Sequence, residues 1–427
     1  MVKPVPLPKA FLETPETRPA SAPTADSQPS DPVPRIRLQL WTHELVAAHG
    51  GVQAYSRHLL QALRTAVGPA NIRVCSKNDT PAQLRSIASS PFSASGNLPN
   101  RIRALGFAMR SVAGALITRP DLVILTHLNF SSAACWLRRI SGIPYWCIAH
   151  GVESWNLRDP GRIRGLRGAA RIFAVSSYTR SRILDEQALA PERVGILPNA
   201  FLPEVFRPGP KPEGLLARHG IAPGKKIVLT VARLSGSEQY KGYDQLLRAL
   251  PEVLASVPEA HYVLVGDGTD RLRIEQLIRS LGIGRSATLT GSVTQRELPD
   301  YYNLCDLFAM PSKGEGFGIV YLEALACGKP VLAGNADGSR DPLQNGRLGV
   351  LVNPDSVPEI AQALVAILKG TYPLRSLYRP AELRARTIDA FGPERFLAEL
   401  RRQLADFQRR PVASVKIPEA DLCVGSP

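Results

Sequence analysis

The sequence predicts an α/β protein of two domains, each a parallel sheet with helices packed on it. Three observations carry that expectation. Short apolar runs alternate with segments whose apolar residues recur at helical spacing. The alternation stops at a Pro- and Gly-rich stretch, 203–212, and then restarts. Glycine turns at 50–51, 266–268 and 314–318 each follow a strand-like run, and ligands of open α/β sheets bind beyond the carboxyl ends of the strands. A chain of 427 residues suits two domains.

The elements are read in order. Residues 36–41 (IRLQLW) form a short apolar strand, followed by His49-Gly50-Gly51 as a turn. Residues 52–67 place Val52, Tyr55, Leu59, Leu60 and Leu63 on one helical face. Residues 121–126 (DLVILT), 144–149 (PYWCIA) and 171–175 (RIFAV) are buried strands, the last leading to Ser176-Ser177 as a helix cap. In the second half, strands are expected at 226–231, 261–265, 287–289, 307–310 and 330–333. Helices are expected at 243–256, 271–281, 297–305 and 318–326, and a long helical pattern runs over 393–410.

The expected organisation is a Pro/Ser/Ala-rich disordered tail over 1–34, a first domain over 35–205 and a second over 206–385. A C-terminal helix within 386–410 crosses back to the first domain, and 411–427 is a tail. Two such domains facing each other would enclose a cleft.

Composition narrows the function. No apolar run approaches the roughly 18 residues that span a bilayer. The start, MVKPVPLPKAFLETPETRPA, has no apolar core of a secretory signal, so a cytoplasmic location is expected. The six cysteines form no CxxC pair and read as reduced thiols. No Asp-x-Asp pair occurs, which removes the commonest carboxylate pattern for a metal-bound diphosphate; no metal site and no cofactor are expected. The net charge of +15 is uneven: residues 35–205 carry +12 and residues 206–427 carry +4. The basic first half therefore suits an anionic partner. Within it, 100–119 (NRIRALGFAMRSVAGALITR) mixes Ile102, Leu105, Phe107, Met109, Val112 and Leu116 with arginines, and Arg158, Arg162, Arg164, Arg167 and Arg171 follow. Such a segment is either an ordinary amphipathic helix with a solvated face or one that lies on an anionic membrane. Nucleic acid is disfavoured, because no binding motif is present and aromatics are 6%.

The residues that carry chemistry are concentrated in 311–330, PSKGEGFGIVYLEALACGKP. A strand leads into a loop with three glycines and then a helix, with Glu315 in the loop and Glu323 in the helix. Glycines and a helix start let backbone N–H groups meet an anion. On spacing alone, two solvated carboxylates remain the commoner arrangement. Residues 231–242, VARLSGSEQYKG, set Arg233 after a strand and Lys241 before a helix, a pair that can neutralise a diphosphate or simply be exposed. Gly51, His150 and Gly266-Asp267-Gly268 stand at further strand ends, and each has an ordinary turn or structural reading as well. His127 ends the 121–126 strand, and Asn199 is expected in a turn.

The Glu-x7-Glu pattern in GEGFGIVYLEALACGKPVLAG resembles the retaining GT-B glycosyltransferases of family 4 over more than twenty residues. The resemblance is strong over 226–353, looser over 36–205, and covers neither tail. It implies a GT-B fold, two Rossmann-like domains facing across a cleft. It implies that Glu315 meets the donor sugar, Glu323 the ribose, and Arg233 and Lys241 the diphosphate. Gly316, Phe317 and Gly318 join them in donor binding. Gly51 and His150 would face the donor from the first domain, and Gly266 would lie near the nucleotide. The interval from Arg233 to Lys241 is longer than in many members. Residues 337–341 (DGSRD) depart from the family's usual Gly-Gly-x-Pro-Glu.

The implied activity is retaining transfer of a hexose, such as mannose, from GDP-mannose or a UDP-hexose to a glycan or lipid-linked acceptor, in polysaccharide or glycolipid synthesis. A place at the inner membrane face would suit such an acceptor. The alternatives are a GT-B epimerase or phosphorylase, and a non-catalytic protein that binds nucleotide sugars.

Overall fold

The computed structural model describes residues 36–47, 50–87 and 89–409. The tails expected at 1–34 and 411–427, and His49, lie outside the described residues. The described chain divides into two units. One holds 36–174, 180–197 and 396–409, and the other holds 175–179 and 198–395.

The first unit contains β1 (Leu38–Thr42), α1 (Gly51–Val67), β2 (Ile72–Ser76), α2 (Pro81–Arg85), β3 (Phe92–Ala94) and α3 (Asn100–Thr118). There follow β4 (Leu122–Leu125), α4 (Ser131–Ser141), β5 (Tyr145–Ala149), α5 (Pro160–Arg167), β6 (Arg171–Ala174), α6 (Ser177–Gln187) and β7 (Val194–Ile196). The seven strands are ordered β3-β2-β1-β4-β5-β6-β7, and neighbours pair in parallel. Both faces of such a sheet are covered, so central strands are apolar throughout. All four residues of β4 and all five of β5 are buried.

The second unit contains α7 (Glu213–Arg218), β8 (Lys226–Val231), α8 (Tyr243–Ser256), β9 (Ala260–Val265), α9 (Arg271–Ser280), β10 (Ala287–Gly291), α10 (Leu298–Leu304) and β11 (Leu307–Met310). After these come α11 (Ile319–Ala326), β12 (Val331–Gly334), β13 (Val350–Val352), α12 (Val357–Leu368) and α13 (Pro380–Phe391), and the chain ends in α14 (Pro393–Arg409). The order β10-β9-β8-β11-β12-β13 is again parallel throughout. Leu246, Leu247, Leu250 and Val253 of α8 are buried at helical spacing, which fastens α8 to the sheet.

In both sheets the strand order reverses once, between β1 and β4 and between β8 and β11. In doubly wound sheets that reversal opens the ligand crevice at the strands' carboxyl ends. The helical pattern expected over 393–410 is α14, and the first residues of the 386–410 span belong to α13. Gly392 leaves the helical conformation and Pro393 cannot extend a helix from behind, so α13 and α14 are separate. From Phe396 onward α14 belongs with the first unit. The Phe396 ring meets Tyr55 edge-on at 5.8 Å, and Phe407 meets Trp146 at 5.7 Å.

Candidate functional site

At the reversal point of the second sheet, the chain leaves β8 into Arg233 and leaves β11 into the 311–318 loop. Residues Gly236–Lys241 wind into a 3-10 turn, which takes up the long interval between Arg233 and Lys241. Lys241 is thereby returned to the loop, and its Nζ donates to Glu315 Oε1. Glu238, from the same turn, pairs with Arg233 and stands 3.8 Å from Lys241 Nζ. Two cations and two carboxylates thus share one site. The Arg233 side chain is 73% exposed, whereas Lys241 and Glu315 are each 14% exposed. Burial works against the Lys241 ammonium, but Glu315, Tyr240 and Glu238 outweigh it and hold its pKa above the ordinary lysine value.

The loop that carries Glu315 is fastened from below. Asp337, fully buried, accepts from the Glu315 N–H at 2.6 Å, from Ser339 N–H at 2.9 Å and from Ser312 Oγ–H at 2.5 Å. Burial pushes the Asp337 carboxyl above its usual pKa, while these donors pull it down. The departure at 337–341 now has an account. Asp337 sets the loop, and Asp341 accepts from the N–H and Oγ–H of Ser177 at 2.6 and 2.7 Å, within the same unit.

Glycine is required at two bends around this loop. Gly242 has φ +83°, and a Cβ there would lie 2.2 Å from Pro311 O. Gly266 has φ +140°, and its Cβ would lie 1.8 Å from Ala232 O. The Gly266-Asp267-Gly268 turn therefore packs directly on the backbone that leads to Arg233. Asp267 Oδ1 accepts from the N–H of the next residue, Gly268, at 2.8 Å, one residue short of an Asx turn.

Not every predicted residue joins the cluster. Glu323 on α11 is buried, and Tyr302 Oη–H donates to its Oε2 at 2.6 Å. The Phe317 ring is buried edge-on against Phe391 at 5.8 Å. Gly316 and Gly318 lie in the loop, and no side chain caps α11 behind Gly318. Asn199 is not in a turn. It sits in irregular backbone with its Oδ1 buried and without a hydrogen-bond partner.

In the first unit the matching reversal point is lined by histidines. The rings of His43, after β1, and His127, after β4, meet edge-on at 4.7 Å, and His127 lies 6.4 Å from His150, after β5. His127 Nδ1 accepts from Asn129 N–H at 3.1 Å, and His150 Nε2–H donates to Thr126 O at 2.8 Å. Burial lowers the pKa of His43 to about 4 and that of His127 to about 3, and it also lowers that of His150. Three neutral imidazoles can hydrogen-bond hydroxyls without adding charge. Gly51 opens α1, exposed, with no side chain capping that helix. The loop before it is held by buried Asp79, which accepts from the N–H groups of Leu45, Val46 and Ala47 at 2.7, 3.0 and 2.8 Å.

Sequence reasoning missed His43, Asp79, Glu238 and Asp337. For His43, one residue beyond β1, position after a strand end was the available signal; Asp79 follows β2, whose apolar run Arg73 interrupts, and Glu238 and Asp337 carry no such signal. Among the described residues, no group of three or more His, Cys, Asp or Glu side chains could hold a metal ion.

Comparison with known proteins bears on both units. Residues 49–204 match the family model described as Glycosyltransferase Family 4, and residues 214–387 match the one described as Glycosyl transferases group 1. A GDP-mannose-dependent alpha-(1-6)-phosphatidylinositol monomannoside mannosyltransferase of Mycobacterium tuberculosis is 35% identical over 230 residues, covering 51% of this chain and 59% of that protein. This chain therefore spans little more than half the length of that relative. A D-inositol 3-phosphate glycosyltransferase of Rhodococcus erythropolis is 30% identical over 325 residues, 69% of this chain and 71% of that protein. The crystal structure of Anabaena HepE in complex with UDP superposes with a TM-score of 0.70 at 20% identity, covering 87% of this chain and 100% of that one, and so shares the GT-B fold. Both units are matched, and the inositol-phosphate relative is aligned over most of its length, so the chain belongs to glycosyltransferase family 4.

Proposed function

We propose that the protein is a retaining hexosyltransferase that uses a nucleotide diphosphate sugar. The observation that carries this reading is the Arg233–Glu238 and Lys241–Glu315 cluster at the reversal point of the second sheet. In it two cations are balanced by carboxylates that a bound pyrophosphate would displace. Arg233 binds the diphosphate as a fork and Lys241 as a point charge. Glu315, released from Lys241, accepts a hydroxyl of the sugar, and Glu323 serves the ribose. The cations stabilise charge as it develops on the leaving phosphate, which is electrostatic catalysis.

In the transfer step the bond between the anomeric carbon and the β-phosphate oxygen breaks. The acceptor oxygen bonds to the same face of that carbon, and its proton passes to the departing phosphate. The GDP-mannose-dependent phosphatidylinositol monomannoside mannosyltransferase supports GDP-mannose as donor and an acceptor in glycolipid synthesis, and a UDP-hexose is the other donor this reading allows. A lipid-linked acceptor would place the enzyme at the cytoplasmic face of a membrane.

A panel of nucleotide sugars tests the reading by thermal unfolding. A donor at 100 times its Kd adds about 2.7 kcal/mol of stability. One nucleotide sugar should raise Tm, and nucleoside diphosphate should be released when acceptor is added. Binding without release would mark a non-catalytic protein, and conversion of donor alone would mark an epimerase.

A further inference from the structure

α3 carries apolar residues on two sides. One side buries Phe107, Ser111, Val112 and Ala115 against the unit. The other presents Ile102, Leu105 and Met109, spaced i, i+3 and i+7, at 52%, 64% and 63% exposure. The apolar residues of the segment expected to be amphipathic over 100–119 thus lie on two sides of the helix. α4 packs beside α3 and turns Trp136 and Ile140, one helical turn apart, outward at 55% and 50% exposure.

The connections from β3 to β4, β5 and β6 advance in one direction across the sheet, so right-handed crossovers set α3, α4 and α5 on one face. These three helices contain eight arginines and no aspartate or glutamate. Arg101, Arg139 and Arg164 are among the exposed ones. Among the described residues, no helix is long and apolar enough to cross a membrane. An outward apolar stripe, an exposed tryptophan and basic helices without a carboxylate of their own fit the boundary layer of an anionic bilayer.

We propose that the outer faces of α3 and α4 dock this protein on an anionic lipid surface, with Leu105, Met109 and Trp136 entering the headgroup layer and the arginines pairing with lipid phosphates. The surface is independent of the donor cluster. Only its purpose, bringing the enzyme to a lipid-linked acceptor, rests on the transferase reading.

Trp136 makes the test direct, because Trp41, Trp146 and Trp155 are buried. Adding phosphatidylglycerol/phosphatidylcholine vesicles to the full chain should shift tryptophan emission to the blue and carry the protein into the vesicle pellet, and pure phosphatidylcholine should do so at least tenfold more weakly. Leu105→Ser with Met109→Ser should weaken association at least tenfold, and Arg101→Ala or Arg139→Ala about fivefold each. The Tm rise given by the nucleotide sugar should stay as in the wild type in every variant. Wild-type protein that stays in the supernatant, or variants that pellet as well as wild type, would overturn the proposal. So would a dimer in light scattering that the serine variants dissociate without any vesicle binding. If vesicles bind as described while no nucleotide sugar changes Tm, the transferase reading fails and the docking surface stands.

Discussion

Asp337 accepts the backbone N–H of Glu315 at 2.6 Å, so the residue assigned to the donor sugar is set in place by a buried carboxylate 22 positions further along the chain. Asp337→Ala strands the Ser312 hydroxyl and the Ser339 N–H and leaves the Glu315 N–H with only Ser312 Oγ, at 3.2 Å. At about 1–3 kcal/mol for each buried group left unpaired, the second unit should lose roughly 2 kcal/mol or more. Urea unfolding measures the loss, and turnover of the fraction still folded should fall with it.

Glu315→Gln leaves the Lys241 ammonium with Glu238, 3.8 Å away, as its remaining carboxylate. Stability should fall by about 1–3 kcal/mol. A nucleoside diphosphate would supply the missing negative charge, so it should raise the Tm of the variant by more than that of the wild type. Equal shifts would place the phosphates away from Lys241.

The histidine cluster predicts an acid-sensitive first unit. His43 and His127 are neutral when folded, with pKa values of about 4 and about 3, and bind protons near 6.5 when unfolded. The unfolded state therefore binds more protons below pH 6.5. The stability these residues contribute is complete above that pH and is lost as pH falls toward 4, at about 1.4 kcal/mol per pH unit for each histidine at most. Tm measured from pH 7 to pH 4 should show this slope, and His127→Asn should flatten it.

Gly266→Ala places a Cβ 1.8 Å from Ala232 O at a φ of +140°. Backbone has to move at the base of the Arg233 strand. A loss of more than about 3 kcal/mol is expected from denaturant unfolding. A loss below about 1 kcal/mol would show that the 232–234 segment can shift freely.

Much of this was legible in the sequence because buried parallel strands are written as continuous apolar runs. The strands expected at 226–231 and 307–310 and the helix at 243–256 match β8, β11 and α8 residue for residue. Arg233 after a strand, Lys241 before a helix and Glu315 in a glycine loop were picked out through the family resemblance, and the structure brings them together. The short strands β3, β7 and β13, three residues each, escaped because no period can be seen over three residues. Arg73 interrupts the apolar run of β2, which hid that strand. Glu238 and Asp337 were invisible for a different reason. Each acts through a partner brought near by the fold, and an isolated loop carboxylate looks the same whether it is solvated or buried under another loop.

The account depends on a pyrophosphate held by the cations that Glu238 and Glu315 now balance. Release of nucleoside diphosphate by purified Arg233→Ala, with the nucleotide sugar that stabilises the wild type, tests this most directly. kcat/KM should fall at least about 100-fold, with the fold intact by circular dichroism. Turnover within a few-fold of wild type would contradict it.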